Sequence, residues 1–156
     1  MPARRKSRQR ALQVLFLCDA RSLPVDDAIN QYYNSLFSGE IEAETGEEPP
    51  APMDRDPFME TLARGTCTRL AEIDAHITQR AANWRIERMP LVDRNLLRMA
   101  VFEMMVVGTP PAVVIDEALE LARRYSEEEA VPFINGVLDA IRKAILPETT
   151  QVPQSS

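Results

Sequence analysis

Apolar residues recur along most of the chain at the three- and four-residue spacing that places them on one face of a helix. Residues 25–37 show this pattern, and Asp26 and Asp27 lie in their first turn, where the helix dipole favours negative charge. Residues 8–20 carry another apolar band, but its basic residues lie at and before its start, where the dipole disfavours them. Because no alternating pattern typical of a strand competes, the predicted fold class is all-α.

The third predicted helix is the longest. Asp56 is expected to be its N-cap and Pro57 its first residue. Apolar residues keep helical spacing from there through Trp84, which is therefore assigned to the apolar face. The pattern thus predicts one unbroken helix over the whole of this range.

Three further helices are predicted. Residues 90–108 are apolar on nearly every side and end at a glycine, which is typical of a helix at the centre of a bundle. Residues 114–125 and 134–145 carry the last two helices. Gly136 lies inside the last one at a cost of about 1 kcal/mol relative to alanine, which the close approach of a neighbouring helix would explain. We expect residues 1–147 to form one domain of about six to seven helices.

Two segments lack the apolar pattern. Residues 38–53 contain five glutamates, three prolines and two glycines, a composition that predicts a mobile acidic loop. The part of the chain before this loop holds only two helices, which is too little core for a separate domain. Residues 148–156 are predicted to be a disordered C-terminal tail.

The composition is that of an ordinary globular protein, with 45% hydrophobic and 27% charged residues in a chain of 156. No apolar run approaches the roughly 18 residues that span a bilayer, so we expect a cytoplasmic protein with no membrane contact. Cys18 and Cys67 both lie in apolar helical patterns. A disulfide between them stays possible, although buried thiols are favoured in a reducing compartment.

The sequence offers little material for catalysis. Its one histidine, His76, has no second histidine or nearby cysteine with which to bind a metal, and it is predicted to be solvated. Glycine-rich phosphate-binding loops and nucleophile-elbow motifs are also missing. We therefore expect neither an enzyme nor a cofactor or metal site.

The charge distribution is the most informative feature of the sequence. The chain has 18 basic and 24 acidic residues, yet five of the seven residues in the stretch RRKSRQR are basic. Such a stretch is either a solvated end of the chain or a contact for phosphates, and the acidic remainder would confine a polyanion to this edge. The cationic residues are Arg4, Arg5, Lys6, Arg8 and Arg10.

Three motifs, DRNLLRMAVFE, VVIDEALELA and FINGVLD, occur in this order, and through them the chain resembles the NusB family. The resemblance covers nearly the whole sequence and implies a bundle of about seven helices in two packed sub-bundles. It implies a factor in transcription antitermination and ribosomal RNA processing that binds a single-stranded boxA element. The implied protein partners are NusE, a ribosomal small-subunit protein, and the antitermination complex of RNA polymerase.

The resemblance also implies roles for particular residues. The basic stretch would bind RNA together with Phe16, Glu129 and Phe133, although each aromatic residue also fits a helix core. Asp93 matches an acidic position near the RNA and partner surfaces. Three other polar residues interrupt the same apolar helix, and with Asp93 they form the expected partner-binding set, namely Asp93, Arg94, Asn95 and Arg98.

Two other functions remain open from the sequence. One is a stand-alone relative of the N-terminal RNA-binding domain of a ribosomal RNA cytosine methyltransferase. The other is a structural helical adaptor with a disordered basic end, which binding of RNA by the isolated protein would exclude. The sequence does not indicate whether the protein is a monomer or a homodimer, or whether tight RNA binding requires NusE.

Overall fold

The computed structural model describes residues 3–38 and 55–151. Within these ranges it contains seven α-helices and no strand, which confirms the predicted all-α class. The chain forms two compact units that divide between Cys67 and Thr68. These units correspond to the two sub-bundles that the resemblance implies.

The first unit contains α1 (Ala3–Arg21), α2 (Val25–Ser38) and α3 (Pro57–Thr68). Asp56 caps α3 as predicted, because its Oδ1 accepts a hydrogen bond from the backbone N–H of Met59 at 3.0 Å. The apolar faces of the three helices meet in one core. Its buried residues are Ala11, Leu12, Val14, Leu15, Ala28, Ile29, Tyr32, Tyr33, Met59, Leu62 and Ala63.

Helix α1 begins five residues earlier than the sequence pattern indicates. The apolar band predicts a start at Arg8, but the helix begins at Ala3 and places the basic stretch in its first two turns. Ser7 and Arg8 are buried, so this end of the helix is held by packing and hydrogen bonds. Those contacts offset the unfavourable interaction of the basic side chains with the helix dipole.

The second unit contains α4 (Leu70–Arg80), a 3₁₀ turn (Ile86–Arg88), α5 (Leu91–Phe102), a π-helical turn (Glu103–Val107), α6 (Pro111–Tyr125) and α7 (Ala130–Gln151). Helix α5 packs against α4, α6 and α7, and its side chains are buried on nearly every side. This confirms its predicted place at the centre of a bundle.

The prediction of one unbroken third helix through Trp84 is wrong. Helix α3 ends at Thr68, and α4 begins only after Arg69, whose φ of −106° and ψ of 25° are not helical. The break follows a stretch rich in glycine and threonine, which have low helix propensity. Helix α4 then ends at Arg80, and Trp84 lies beyond it in an irregular segment, with 57% of its surface exposed.

Two glycines differ in what their positions require. Gly108 has a φ of +83° and ends the π-helical turn, with its N–H donating to the carbonyl of Glu103 at 3.0 Å. Gly136 lies within α7, and a Cβ added there would meet nothing within 4 Å. The expected close approach of a neighbouring helix to Gly136 is therefore wrong.

Other sequence predictions meet the limits of the described residues. Ser38 ends α2, and the rest of the predicted acidic loop at 38–53 lies outside those residues. Helix α7 continues to Gln151, so the first four residues of the predicted tail at 148–156 are helical. The rest of that tail lies outside the described residues. Across the part of the chain that the structure describes, no helix is long and apolar enough to cross a membrane.

The two cysteines are free thiols, each half-buried, and both belong to the first unit. The thiol of Cys18 shares a hydrogen bond with Cys67. That hydrogen bond, together with burial, raises the pKa of the Cys18 thiol far above its ordinary value. Both effects favour the protonated thiol over the thiolate.

Candidate nucleic-acid interface

The basic stretch on α1 divides into an outer and an inner part. Arg4 and Arg5 are exposed and Lys6 is half-buried, so these three present charge at the surface. Arg8 is only 6% exposed, and Arg10 forms an ion pair with Asp56 at 3.0 Å. The structure therefore buries one of the five predicted phosphate-binding residues and pairs another with a carboxylate.

Asp56 fixes the inner part of this stretch to the start of α3. Its carboxylate accepts hydrogen bonds from the Ser7 hydroxyl at 2.7 Å and from Arg10 Nη1 at 3.0 Å, in addition to capping α3. The backbone N–H of Asp56 in turn donates to the Tyr33 hydroxyl at 2.8 Å. Asp56 thus contacts all three helices of the first unit, α1 and α3 through its buried carboxylate and α2 through its backbone N–H.

Phe58, on α3, supports the outer part of the stretch. The guanidinium of Arg4 lies 4.1 Å from the centroid of the Phe58 ring, and that of Arg8 lies 5.7 Å from it. Both distances fit cation–π contacts, which hold the arginine side chains in a defined position. No pattern in the sequence singles out Phe58 for this role, since it reads as one more apolar residue of a helix.

Tyr33 and Glu60 form a polar pair beneath the same surface. The Tyr33 hydroxyl donates to Glu60 Oε2 at 2.8 Å, and Arg55 and Arg64 also bind this carboxylate. Burial raises the pKa of Tyr33 to about 12, although the N–H donated by Asp56 opposes that change. Burial alone would raise the pKa of Glu60, but its hydrogen bonds from Tyr33 and the two arginines outweigh burial and lower it.

Phe16 lies on α1 with 38% of its surface exposed. The interpretation of Phe16 as a core residue is therefore wrong, because the buried positions of α1 are taken by Ala11, Val14 and Leu15. Its exposed ring is available for stacking, and its contact with RNA stays a prediction.

In the second unit, a cleft of about 210 Å³ brings together Asp93, Glu129 and Phe133. These residues come from α5, from the segment before α7 and from the first turn of α7. Trp84 lines the same cleft, with its ring centroid 5.7 Å from that of Phe133 and the two ring planes at 57°. Three residues assigned to the RNA and partner surfaces are thus neighbours in the structure, and an exposed tryptophan adjoins them.

The four polar residues assigned to partner binding all have partners within the second unit. Asp93 is 7% exposed and accepts a hydrogen bond from the Ser126 hydroxyl at 2.6 Å. Arg94 donates hydrogen bonds to the backbone carbonyls of Ile86 and Glu87. The side-chain amide of Asn95 donates to the backbone carbonyl of Leu91. Arg98 donates to the carboxylate of Asp74 and to the side-chain oxygen of Asn95. These contacts give all four a structural role, and binding of a partner by them stays a prediction.

Trp84 is the residue of this surface that sequence reasoning missed. Its spacing after Ile77 and Ala81 fits the apolar face of a helix, so the periodicity assigns it to the core. The available signal is the alternation of arginines around it, at positions 80, 85 and 88, since interleaved basic and aromatic residues are typical of nucleic-acid surfaces.

His76 is half-buried, so it is less solvated than the sequence predicts. Among the described residues its buried Nδ1 has no hydrogen-bond partner. Within those same residues, no group of three or more histidine, cysteine and acidic side chains is placed to hold a metal ion.

This chain is similar to known proteins over nearly its whole length. The model of the NusB family matches residues 5–143. The transcription antitermination protein NusB of Solibacter usitatus is 56% identical over 98% of this chain and 97% of that protein. T. maritima NusB is similar with a TM-score of 0.73 at 28% identity, covering 90% of both chains. A crystal structure of antitermination factors NusB and NusE in complex with dsRNA is similar with a TM-score of 0.73 at 26% identity, covering 92% of this chain and 98% of that one.

Proposed function

The chain belongs to the NusB family, and we propose that it is an antitermination factor that binds boxA-like single-stranded RNA together with NusE. The observation that carries this proposal is the 56% identity to a NusB antitermination protein over 98% of the chain. A similar chain is also described in a complex with NusE and dsRNA. In this role the protein is an adaptor between RNA and the RNA polymerase antitermination complex, without catalysis of its own, and it takes part in ribosomal RNA processing.

The outer basic residues support the phosphate-binding part of the proposal. Arg4, Arg5 and Lys6 present positive charge on a chain whose formal net charge is −6. Arg8 and Arg10 contribute by fixing the helix that carries those three, because Arg8 is buried and Arg10 binds Asp56. Contacts with phosphates position an RNA strand but do not read its sequence.

Recognition of particular bases then requires aromatic and acidic side chains. The exposed ring of Phe16 suits stacking on a base, and Phe133 and Glu129 line the cleft of the second unit. A carboxylate can accept hydrogen bonds from base amino groups, which is a means of choosing between bases.

NusE is the protein partner that we propose. The inward-facing set of Asp93, Arg94, Asn95 and Arg98 would act indirectly, by holding α5, the 3₁₀ turn and α4 in the arrangement that the partner contacts. Loss of these contacts would then weaken partner binding by deforming the surface and not by removing a direct contact.

One alternative has a specific observation in its favour. The similar NusB–NusE structure is described in complex with dsRNA, so a double-stranded ligand is a second candidate. Double-stranded RNA is recognised mainly by shape, whereas a single strand offers unstacked bases to aromatic side chains. The aromatic residues Phe16 and Phe133 therefore favour the single strand.

The experiment is a titration of the full chain against fluorescently labelled RNA, followed by fluorescence anisotropy, with and without NusE. The ligands are a boxA-like single strand, a scrambled strand of equal length and a duplex of the same sequence. We expect the boxA-like strand to bind most tightly and NusE to increase its affinity. Equal affinity for all three ligands would contradict sequence recognition, and preference for the duplex would favour the alternative. Absence of RNA binding in every arm would refute the proposed function.

A further inference from the structure

The segment between α4 and α5 carries an aromatic and cationic surface to which no role has yet been assigned. We propose that Trp84, Arg85 and Arg88 form a second contact for single-stranded RNA, located entirely in the second unit. Trp84 would stack on a base, and the two arginines would bind the flanking phosphates. This inference rests on the proposed function, because it takes single-stranded RNA as the ligand.

The position of Trp84 is the first observation. More than half of its surface is exposed, the largest exposed fraction among the large hydrophobic residues described. Its ring is supported by Phe133, whose centroid lies 5.7 Å away. An accessible indole that contacts a second aromatic ring matches the stacking platforms on which proteins bind the bases of single strands.

The placement of the arginines is the second observation. Arg85 directly precedes the 3₁₀ turn, Arg88 is its last residue, and both side chains are exposed. Within the described part of the chain, neither guanidinium forms an ion pair or a hydrogen bond, whereas Arg98 and Arg142 each bind a carboxylate. Arg94 donates to the carbonyls of Ile86 and Glu87 at 3.2 Å and so fixes the turn between the two arginines. Two unpaired charges are thus presented by a backbone that is held in place.

The acidic residues of the adjoining cleft determine how a strand would lie. Asp93, Glu127 and Glu129 line the cleft beside Trp84 and Phe133. Carboxylates repel phosphates but accept hydrogen bonds from the amino groups of bases. A strand would therefore point a base toward the cleft and place its phosphates on the side of the arginines.

The cleft beside Trp84 and Phe133 is small. Its volume of about 210 Å³ lies below the roughly 300–1,000 Å³ typical of cofactor and small-molecule sites. A single flat ring stacked at its mouth fits this space better than a nucleotide cofactor.

Trp84 is the only tryptophan of the chain, so tryptophan emission reports directly on this residue. The full-length protein is titrated with labelled boxA-like RNA while RNA anisotropy and tryptophan emission are recorded together. Stacking of a base on the indole quenches its emission, so we expect both signals to change with the same midpoint. This measurement uses the unaltered protein and does not depend on the folding of a variant.

Two variants test the two parts of the contact. Trp84→Leu should weaken RNA binding about 5- to 150-fold, the range expected for the loss of one stacked base. The double variant Arg85→Ala/Arg88→Ala should flatten the slope of log affinity against log salt by about 1.4, from roughly 0.7 for each phosphate.

A matched control removes the same charge elsewhere in the second unit. Arg123 and Arg124 are exposed on α6, where Arg123 pairs with Glu120 and Arg124 lies over the Tyr125 ring. Such exposed contacts contribute little to stability. We expect Arg123→Ala/Arg124→Ala to leave the affinity within about twofold of the unaltered protein and the salt slope nearly unchanged.

The outcomes separate this inference from the proposed function. RNA binding with unchanged tryptophan emission and full affinity of Trp84→Leu would overturn the second contact and leave the proposed function intact. A change of emission with NusE alone, and none with RNA, would assign Trp84 to the protein partner and overturn the RNA contact. Absence of any RNA binding by the unaltered protein would overturn both.

Discussion

At the scale of single residues, Gly108 and Gly136 have opposite effects on stability. The backbone of Gly108 adopts a φ of +83°, which L-residues with a side chain rarely adopt, so its helix end depends on glycine. Gly136 has ordinary helical geometry and open space where a Cβ would lie, so glycine there only adds flexibility to the unfolded chain.

We therefore expect Gly136→Ala to raise the free energy of unfolding by about 0.5–1 kcal/mol. Gly108→Ala should lower it by about 1–2 kcal/mol, because alanine would be forced into the left-handed region. Urea denaturation followed by circular dichroism measures both. A loss of stability in Gly136→Ala would mean that the open space seen at this position is filled in solution.

Tyr33 predicts a dependence of stability on alkaline pH. Because burial raises the pKa of Tyr33 from 10 to about 12, the folded state keeps its hydroxyl protonated where the unfolded chain ionises. This contribution is complete below the pKa of the unfolded chain and disappears as the pH rises through the pKa of the folded one. Stability should therefore fall between pH 10 and pH 12.

The matched variant is Tyr33→Phe, which removes the ionisable hydroxyl and keeps the ring. It should be less stable at neutral pH, because the N–H of Asp56 loses its acceptor and Glu60 loses a donor. Its stability should nevertheless depend less on pH across the alkaline range. Urea midpoints of both proteins at several pH values test this, and an identical pH dependence would exclude Tyr33 as the cause.

At the scale of helices, the ion pair between Arg98 and Asp74 joins α5 to α4. Nε of Arg98 lies 2.8 Å from one carboxylate oxygen and Nη2 lies 3.0 Å from the other, and both side chains are mostly buried. Arg98→Met should lower the free energy of unfolding by about 3 kcal/mol, because it leaves a carboxylate poorly solvated and unpaired.

A double-mutant cycle isolates the energy of this pair. Arg98→Met combined with Asp74→Ala should give a coupling energy of about 1–3 kcal/mol. The pair between Arg142 and Asp139 on α7 is a control of the same charge type that is more exposed, so its coupling should be clearly weaker. Equal coupling in the two cycles would show that burial does not strengthen the Arg98 pair.

The periodicity of apolar residues predicts those helices whose position in the bundle depends only on the burial of their apolar side chains. The apolar residues on nearly every side of α5 predict a central helix, and its surroundings in the structure agree. The break at Arg69 could not be predicted, because Leu70 and Ile73 keep the apolar phase of the preceding helix. Trp84 was misplaced for the same reason, since spacing does not reveal that the helix has ended.

The structure of the basic stretch could likewise be predicted only in part from its sequence. Its residue types predict a cationic surface, but they do not indicate which side of α1 packs against the rest of its unit. The start of α1 at Ala3 and the burial of Arg8 depend on Ser7, Asp56 and Phe58. Contacts between residues about 50 positions apart are not visible in a local sequence pattern.

At the scale of the whole molecule, an acidic protein binds a polyanion only where positive charge is concentrated. If Arg4, Arg5 and Lys6 each neutralise one phosphate, their joint replacement by alanine should flatten the salt slope of RNA binding by about 2. The loss of affinity should be similar for boxA-like and scrambled strands, because phosphate contacts carry no sequence information.

The control for this prediction is Arg123→Ala/Arg124→Ala/Lys143→Ala, which removes equal charge from exposed positions of the second unit. Arg8 and Arg10 are left intact in both variants, since their replacement would disturb the packing around Asp56. Anisotropy titrations between about 50 and 200 mM salt measure the slopes. Equal effects of the two variants would show that only net charge matters.

The contact between Cys18 and Cys67 makes the first unit open to study by chemical labelling. Only the thiolate reacts with an alkylating reagent, and the hydrogen bond with Cys67 and burial keep the Cys18 pKa far above neutrality. Alkylation of the native protein at neutral pH should therefore be slow and should require a local opening that separates α1 from α3. Mass spectrometry of labelled peptides over time would give the free energy of that opening. Replacement of Cys67 by serine should change the rate at which Cys18 is labelled in the native protein, and this rate can be measured without denaturant.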